Sequence, residues 1–295
     1  MTKSHSLTGI LFIAMSEKSG FVNLDEGDRM EKKRQRLFMP GLRVLYIFIL
    51  DEFIEAFVFT PFLSFLQLDF WADIVLYKVL SLVIILGLNL LLLRQKIIFR
   101  TSFGWPSWQK FVFWDIVGCL VAWQIFTNRN FLDILQASVI GTIAAVPEEY
   151  LYRGVIFGGL LRAFYLANRG GTKRNFLYCM LLSSLAFSLA HLSNLPSQGA
   201  VATVGQMIQV SGMGMLLAAL YVRYGTLLMP IFVHFMIDFL VTLIHGPYPS
   251  KLNGVSDETT LIIVSVIWAG IYVAISMWLL WHCHDKEGFM ARLSK

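Results

Sequence analysis

Three stretches of this chain put ionisable side chains among apolar neighbours. The first is Pro147-Glu148-Glu149-Tyr150-Leu151-Tyr152-Arg153. On a helix, Glu149 and Arg153 share a face at a four-residue spacing, with the acid on the favoured N-terminal side, so the arginine can hold Glu149 ionised. Glu148 points ~100° away. It is expected to be less neutralised and more desolvated, the condition that suits a carboxylate to act as a base toward water. The second stretch runs from Ser183 and Ser184 through Phe187 to His191. Phe187 and His191 lie one turn apart, and His191 could orient a water or share a proton. The third is Pro230-Ile231-Phe232-Val233-His234-Phe235-Met236-Ile237-Asp238. His234 and Asp238 share a face, while Pro230 leaves the Thr226 carbonyl without its helical donor. This pair suits a histidine held by a carboxylate, an oxyanion donor, or half a metal site.

Each stretch also has a plain structural explanation: an ion pair at a kinked helix start, a buried histidine bonded to a backbone carbonyl, a polar contact between helices. Taken together they weigh more. Two carboxylates, an arginine, two histidines and a further acid on separate segments supply a general base, a proton shuttle and donors for a developing oxyanion, provided the fold brings them into one cavity. No serine or cysteine stands beside a histidine as a convincing nucleophile. Water attack on an amide is the chemistry this inventory fits.

The elements that must position these groups are membrane helices. Of 295 residues, 57% are hydrophobic and 15% charged, against about 25% charged in an ordinary soluble domain, and the mean hydropathy is +0.65. The apolar residues fall in runs near the ~20 needed to cross a hydrocarbon core, and in lipid such runs must be helical to satisfy their backbone. Eight spans are expected, at roughly 43–66, 72–93, 110–127, 132–166, 175–194, 200–222, 226–245 and 260–282. The fold class is therefore all-α, a polytopic transmembrane bundle with an intramembrane catalytic cavity. The fourth run is too long for one straight crossing, and Pro147 is expected to split it, starting a new helical segment over 148–166. Every second loop is basic, so the net charge of +5 reads as topology, with both termini cytoplasmic, rather than as a nucleic-acid surface. Cys119, Cys179 and Cys283 are far apart and suggest neither a disulfide framework nor a cysteine metal site. Residues 1–29 read as a poorly ordered extension, and 30–295 as one membrane domain.

With those three motifs in order on separate spans, the chain resembles the type II CAAX prenyl endopeptidases and their bacterial relatives, the CPBP or Abi family. The matching pattern is E-E-x-x-x-R, F-x-x-x-H and H-x-x-x-N/D, here Glu148-Glu149…Arg153, Phe187…His191 and His234…Asp238, within about 131–245. The resemblance implies an intramembrane endopeptidase acting on a prenylated or short hydrophobic peptide. Glu148 would be the general base, His191 would position or polarise the water, His234 and the residue four later would stabilise the oxyanion, and Glu149 and Arg153 would support them. Bacterial relatives are linked to bacteriocin or pheromone processing and to self-immunity. Asparagine is usual where this chain has Asp238, and an ionised carboxylate cannot donate to an oxyanion. Asp238 is expected to orient His234 instead. No cofactor is expected. Glu and His residues on several helices could also hold zinc, but there is no H-E-x-x-H, and the expectation is a metal-free site.

Two further features stand outside the motifs. Asp51, Glu52 and Glu55 crowd the first span; Asp51 and Glu55 share a face and are expected to line the bundle interior, in a structural more than a substrate-binding role. Gly154 and Gly158, like Gly212 and Gly214, suggest close helix packing. Two other function classes fit the same residues: a non-catalytic membrane immunity or scaffold protein, and a transporter, which the absence of repeat symmetry between halves disfavours.

Overall fold

The structure, a computed structural model, describes residues 39–99, 130–168, 173–246, 258–283 and 285–294. The expected extension at 1–29 and the expected span at 110–127 lie outside these residues. Among the described residues every regular element is helical. Helix α1 covers 39–66, with a wide π-type turn at Glu55–Phe59. Helix α2 runs from Phe70 to Leu88 and closes in a second wide turn, Asn89–Leu93. Helix α3 comprises Phe131–Glu149, a wide stretch Tyr150–Phe157 and Gly158–Asn168. Helix α4, Lys173–Ala190, tightens at His191–Asn194 before a short turn at Leu195–Gln198. Helices α5, α6 and α7 are Ala200–Tyr224, Leu228–His245 and Glu258–Trp281, and α8 is Lys286–Ser294.

The helix ends follow local chemistry. Asp69 precedes α2 and accepts from the Trp71 and Ala72 amides at 2.9 and 3.1 Å; Asn130 caps α3 through the Asp133 amide at 2.8 Å. Such side chains satisfy amide groups the helix cannot. Gly225, at φ 64°, ends α5 in the left-handed conformation that glycine adopts without strain.

Six helical segments among the described residues are long and apolar enough to cross a membrane: Phe70–Leu93, Phe131–Leu166, Arg174–Gln198, Ala200–Tyr224, Leu228–His245 and Glu258–Trp281. The protein is a polytopic helical membrane bundle. The expected span at 43–66 is helical but is not one of the six; Asp51, Glu52 and Glu55 lie within it. Large apolar side chains on the outer faces, such as Phe57, Leu91 and Trp281, are well exposed, as a lipid-facing surface requires.

Pro147 does not split the fourth run. The helix passes through it, and 131–168 is one continuous helical rod. Its 36-residue apolar portion would extend ~54 Å at 1.5 Å per residue, more than a ~30 Å hydrocarbon core. The proline is tolerated because the following backbone widens and neighbours satisfy groups near it. The Tyr150 amide donates to the Val146 and Pro147 carbonyls, and Ser183 Oγ on α4 donates to the Tyr152 carbonyl at 2.8 Å.

Helix α5 is the spine: its residues from Met213 to Val222 are all buried, and it packs against α4, α6 and α7. Small residues allow the approach. A Cβ on Gly212 would meet the Ala269 carbonyl oxygen of α7 at 2.6 Å, and one on Gly214 would meet Ser184 of α4 at 2.8 Å, so this pair serves helix packing as expected. Gly154 and Gly158 face the Gln95 and Ile97 side chains, part of the non-helical stretch after α2 rather than a neighbouring helix. That stretch is pinned to the α5–α6 turn: the Leu227 amide donates to Ile98 O at 2.7 Å, and Thr226 Oγ1 to Phe99 O at 2.8 Å. Gly141 of α3 has the same function against α6, where a Cβ would meet Phe235 O at 2.9 Å. This contact brings α3 and α6 together at the depth of the polar motifs.

Candidate active site

Within one helix the expected pairs form. Arg153 Nη1 donates to Glu149 Oε1 at 2.7 Å, with both side chains fully buried. His234 Nε2 lies 3.3 Å from Asp238 Oδ2. His191 Nδ1 is 2.8 Å from the Phe187 carbonyl oxygen, one turn back.

The contacts between helices join these pairs. His234 Nδ1 lies 2.7 Å from Glu149 Oε1, and its Nε2 is 3.8 Å from Glu148 Oε2. One carboxylate oxygen of Glu149 thus holds both Arg153 and His234, linking α3 to α6. Phe187 of α4 is the apolar hub. Its ring packs edge-on against His191 and His234, with centroids 5.0 and 5.8 Å away, and contacts Tyr152 at 5.0 Å. The Arg153 guanidinium lies 4.3 Å from the centre of that ring, a favourable seat for a desolvated cation.

Glu148 is not left unneutralised, contrary to the reading from sequence. Lys78 of α2 donates to its Oε1 at 2.7 Å. The expectation followed from a helix considered alone; the cation comes from another. Lys78 was nonetheless detectable as a single lysine inside the apolar run Phe70–Leu93, where a charge is costly enough to need a reason. Its pairing leaves Oε2 as the Glu148 oxygen without a close partner among the contacts above.

Glu148 and His191 line a cavity of about 450 Å³. Glu149, Arg153, His234 and Asp238 are not among its lining residues, and His234 is only 2% exposed. The three motifs therefore form one contact network but do not all face one cavity. The opposite wall comes from α1 and α2: Asp51, Glu52, Glu55, Tyr77, Lys78 and Ser81. Glu55 accepts from Tyr77 Oη at 2.7 Å and from Ser81 Oγ at 2.5 Å. Glu52 accepts from Tyr152 Oη at 3.3 Å. These acids do face the interior, as the sequence suggested for Asp51 and Glu55, and they share the cavity with Glu148. Tyr77 and Tyr152 went unnoticed in the sequence because buried tyrosines are ordinary in membrane helices. Among the described residues, no three His, Cys, Asp or Glu side chains are grouped so as to hold a metal ion.

The site is a buried carboxylate–histidine–arginine network beside a polar cavity in a helical membrane bundle. The family model for the type II CAAX prenyl endopeptidase Rce1-like proteins matches residues 129–240. The chain is also similar to the "Putative membrane peptidase YdiL" of Bacillus subtilis (strain 168), 28% identical over 142 residues, covering 46% of this chain and 50% of that protein. The chain thus spans about half the length of this curated relative. No solved structure matches. The matched segment carries all three motifs, so the part of the chain that is similar to the type II CAAX prenyl endopeptidases is the part that builds the polar network.

Proposed function

We propose that the protein is an intramembrane endopeptidase that hydrolyses a peptide bond of a prenylated or short hydrophobic peptide with a water activated by Glu148. The observation that carries this reading is the pairing of Glu148 Oε1 with Lys78, which leaves Oε2 available at a cavity wall that His191 also lines. With Nδ1–H of His191 donated to the Phe187 carbonyl, its Nε2 is free to accept a hydrogen bond from the water. Glu148 Oε2 takes the proton as the water oxygen bonds to the amide carbon. His234 lies behind the cavity wall, anchored at Nδ1 by Glu149 with Nε2 3.3 Å from Asp238 and 3.8 Å from Glu148 Oε2; in this reading the substrate carbonyl oxygen reaches past Glu148 to that N–H, the donor for the developing oxyanion. Asp238 orients the ring, and Glu149 and Arg153 fix its position. The proton on Glu148 then passes to the departing amine. The reading requires no metal. Both termini are assigned to the cytoplasmic side from the alternation of basic loops.

A second reading is supported by the same ion pair: a lysine 2.7 Å from the base suits a non-catalytic binding protein, such as an immunity factor. One experiment separates them. Purified wild-type protein and its Glu148→Gln variant are incubated with a panel of prenylated and hydrophobic peptides in H₂¹⁸O and read by mass spectrometry. The wild type is expected to release a fragment whose new carboxyl carries one ¹⁸O, with the variant reduced by at least about 10²-fold while it remains folded, as its far-UV circular dichroism shows. Equal cleavage by both proteins would refute Glu148 as base, and no cleavage of any peptide would favour the binding protein.

A further inference from the structure

The cavity beside Glu148 is lined by more acidic side chains than basic ones. Its lining includes five carboxylates, those of Asp51, Glu52, Glu55, Asp73 and Glu148, against one lysine and one histidine. Lys78 is committed to Glu148, and Glu55 is satisfied by Tyr77 and Ser81. Of the three acids left, Asp73 belongs to the first turn of α2 and the other two, Asp51 and Glu52, stand together on α1. Glu52 has one long bond from Tyr152. Asp51 is 2% exposed, and its Oδ1 has no hydrogen-bond partner among the described residues. A buried carboxylate oxygen without a partner costs several kcal/mol, and here it belongs to a cavity wall large enough to admit a side chain.

We infer that the α1 wall is a recognition subsite for a cationic group, a lysine or arginine side chain of the peptide, close to the bond presented to Glu148. This rests on the endopeptidase reading and names its substrate class. The position follows from the cavity itself: Asp51, Glu52 and Glu148 line one space of about 450 Å³, and Tyr152, one turn on from Glu148, bonds to Glu52. A cation at Asp51 and Glu52 therefore comes from a residue close in sequence to the scissile bond. A basic side chain also suits the route of entry, since its aliphatic stem can stay among apolar groups while its head reaches the carboxylates.

The test uses the Glu148→Gln protein in lipid nanodiscs, so that binding is read without turnover. Fluorescent hydrophobic peptides that differ only at one residue beside the candidate bond, lysine, norleucine or glutamate, are titrated by anisotropy. The lysine peptide is expected to bind about tenfold more tightly than the norleucine peptide, and the glutamate peptide more weakly than either. Adding Asp51→Asn and Glu52→Gln should bring the lysine-to-norleucine ratio close to one. Because that ratio is taken within one preparation, it does not depend on how much of a variant is folded. Equal binding of the lysine and norleucine peptides, or a lysine preference that survives the double substitution, would overturn the subsite. The same peptides offered to wild-type protein test the endopeptidase reading separately. A lysine preference without cleavage removes the enzyme and keeps the subsite; cleavage without the preference does the reverse.

Discussion

Breaking the ion pair behind the base, Arg153 with Glu149, tests whether the polar network is built as described. Both side chains are fully buried and meet at 2.7 Å. Arg153→Met leaves the Glu149 carboxylate with only the His234 ring, and Glu149 Oε2 already lacks a partner. Removing one member of a buried pair costs about 3–5 kcal/mol, and the lost seat of the guanidinium on Phe187 adds about 1–2 kcal/mol. Glu149→Gln leaves the arginine buried among apolar groups, but the new amide oxygen can still accept from His234, so a loss of about 3 kcal/mol is expected. The double variant buries no unmatched charge at this point. It should lose only about 1–3 kcal/mol, because the introduced methionine fills the space beside Phe187 but cannot reproduce the cation's contact. The two changes should thus be coupled by at least about 2 kcal/mol, far above the few tenths expected of independent sites. Reversible unfolding of the four proteins in mixed micelles of dodecyl maltoside and sodium dodecyl sulfate, followed by tryptophan fluorescence, supplies the cycle. Losses that simply add, with coupling below about 0.5 kcal/mol, would refute a mutually compensating pair.

Other changes test separate parts of the structure. Asp238→Asn should preserve or raise kcat/KM for a cleaved peptide, since asparagine can both accept from His234 and donate to an oxyanion. Asp238→Ala should lower it by about tenfold; equal losses in the two variants would show that the negative charge itself matters. Lys78→Met should reduce kcat by at least about tenfold through loss of the charge that holds Glu148 in place, with KM little changed, as steady-state kinetics would show. Gly212→Val, which drives a Cβ into the backbone of Ala269, should destabilise the bundle by about 1–3 kcal/mol, measured by the same micellar unfolding, whereas Gly87→Ala, with open space around its Cα, should be close to neutral.

What could be read from sequence was whatever lies within one helix. Glu149 with Arg153, Phe187 with His191 and His234 with Asp238 each follow from a four-residue spacing, and each pair meets as expected. What could not be read depends on how helices rotate against one another. Nothing in the order of residues says that α2 turns Lys78 toward Glu148 or that His234 reaches Glu149. Those contacts are set by packing details such as the bare face of Gly141 against Phe235. Pro147 shows the opposite limit. A rule sound for helices in water predicted a break, but inside the bundle a widened turn and the Ser183 hydroxyl accommodate the proline, and the two glutamates remain on a continuous rod.

The same charges that make the site legible also select the arrangement of helices that builds it. Lys78, Glu148, Glu149, Arg153 and His234 sit on three predominantly apolar helices, and on insertion scales a charged lysine or arginine at mid-membrane costs about 2.5–3.5 kcal/mol. Apolar faces pack against lipid nearly as well as against protein, so they discriminate poorly between helix neighbours. A buried charge discriminates strongly, because any neighbour but its partner leaves the cost unrelieved. Lys78 with Glu148 fixes α2 on α3, and Glu149 with His234 fixes α3 on α6. Asp51 departs from this pattern: it incurs the cost of burial, yet its Oδ1 contributes no bond to any neighbour among the described residues. A group that does not help to define the fold at such a position is better explained by something that enters the cavity, which is why the α1 wall, outside all three family motifs, is where substrate selection should be sought.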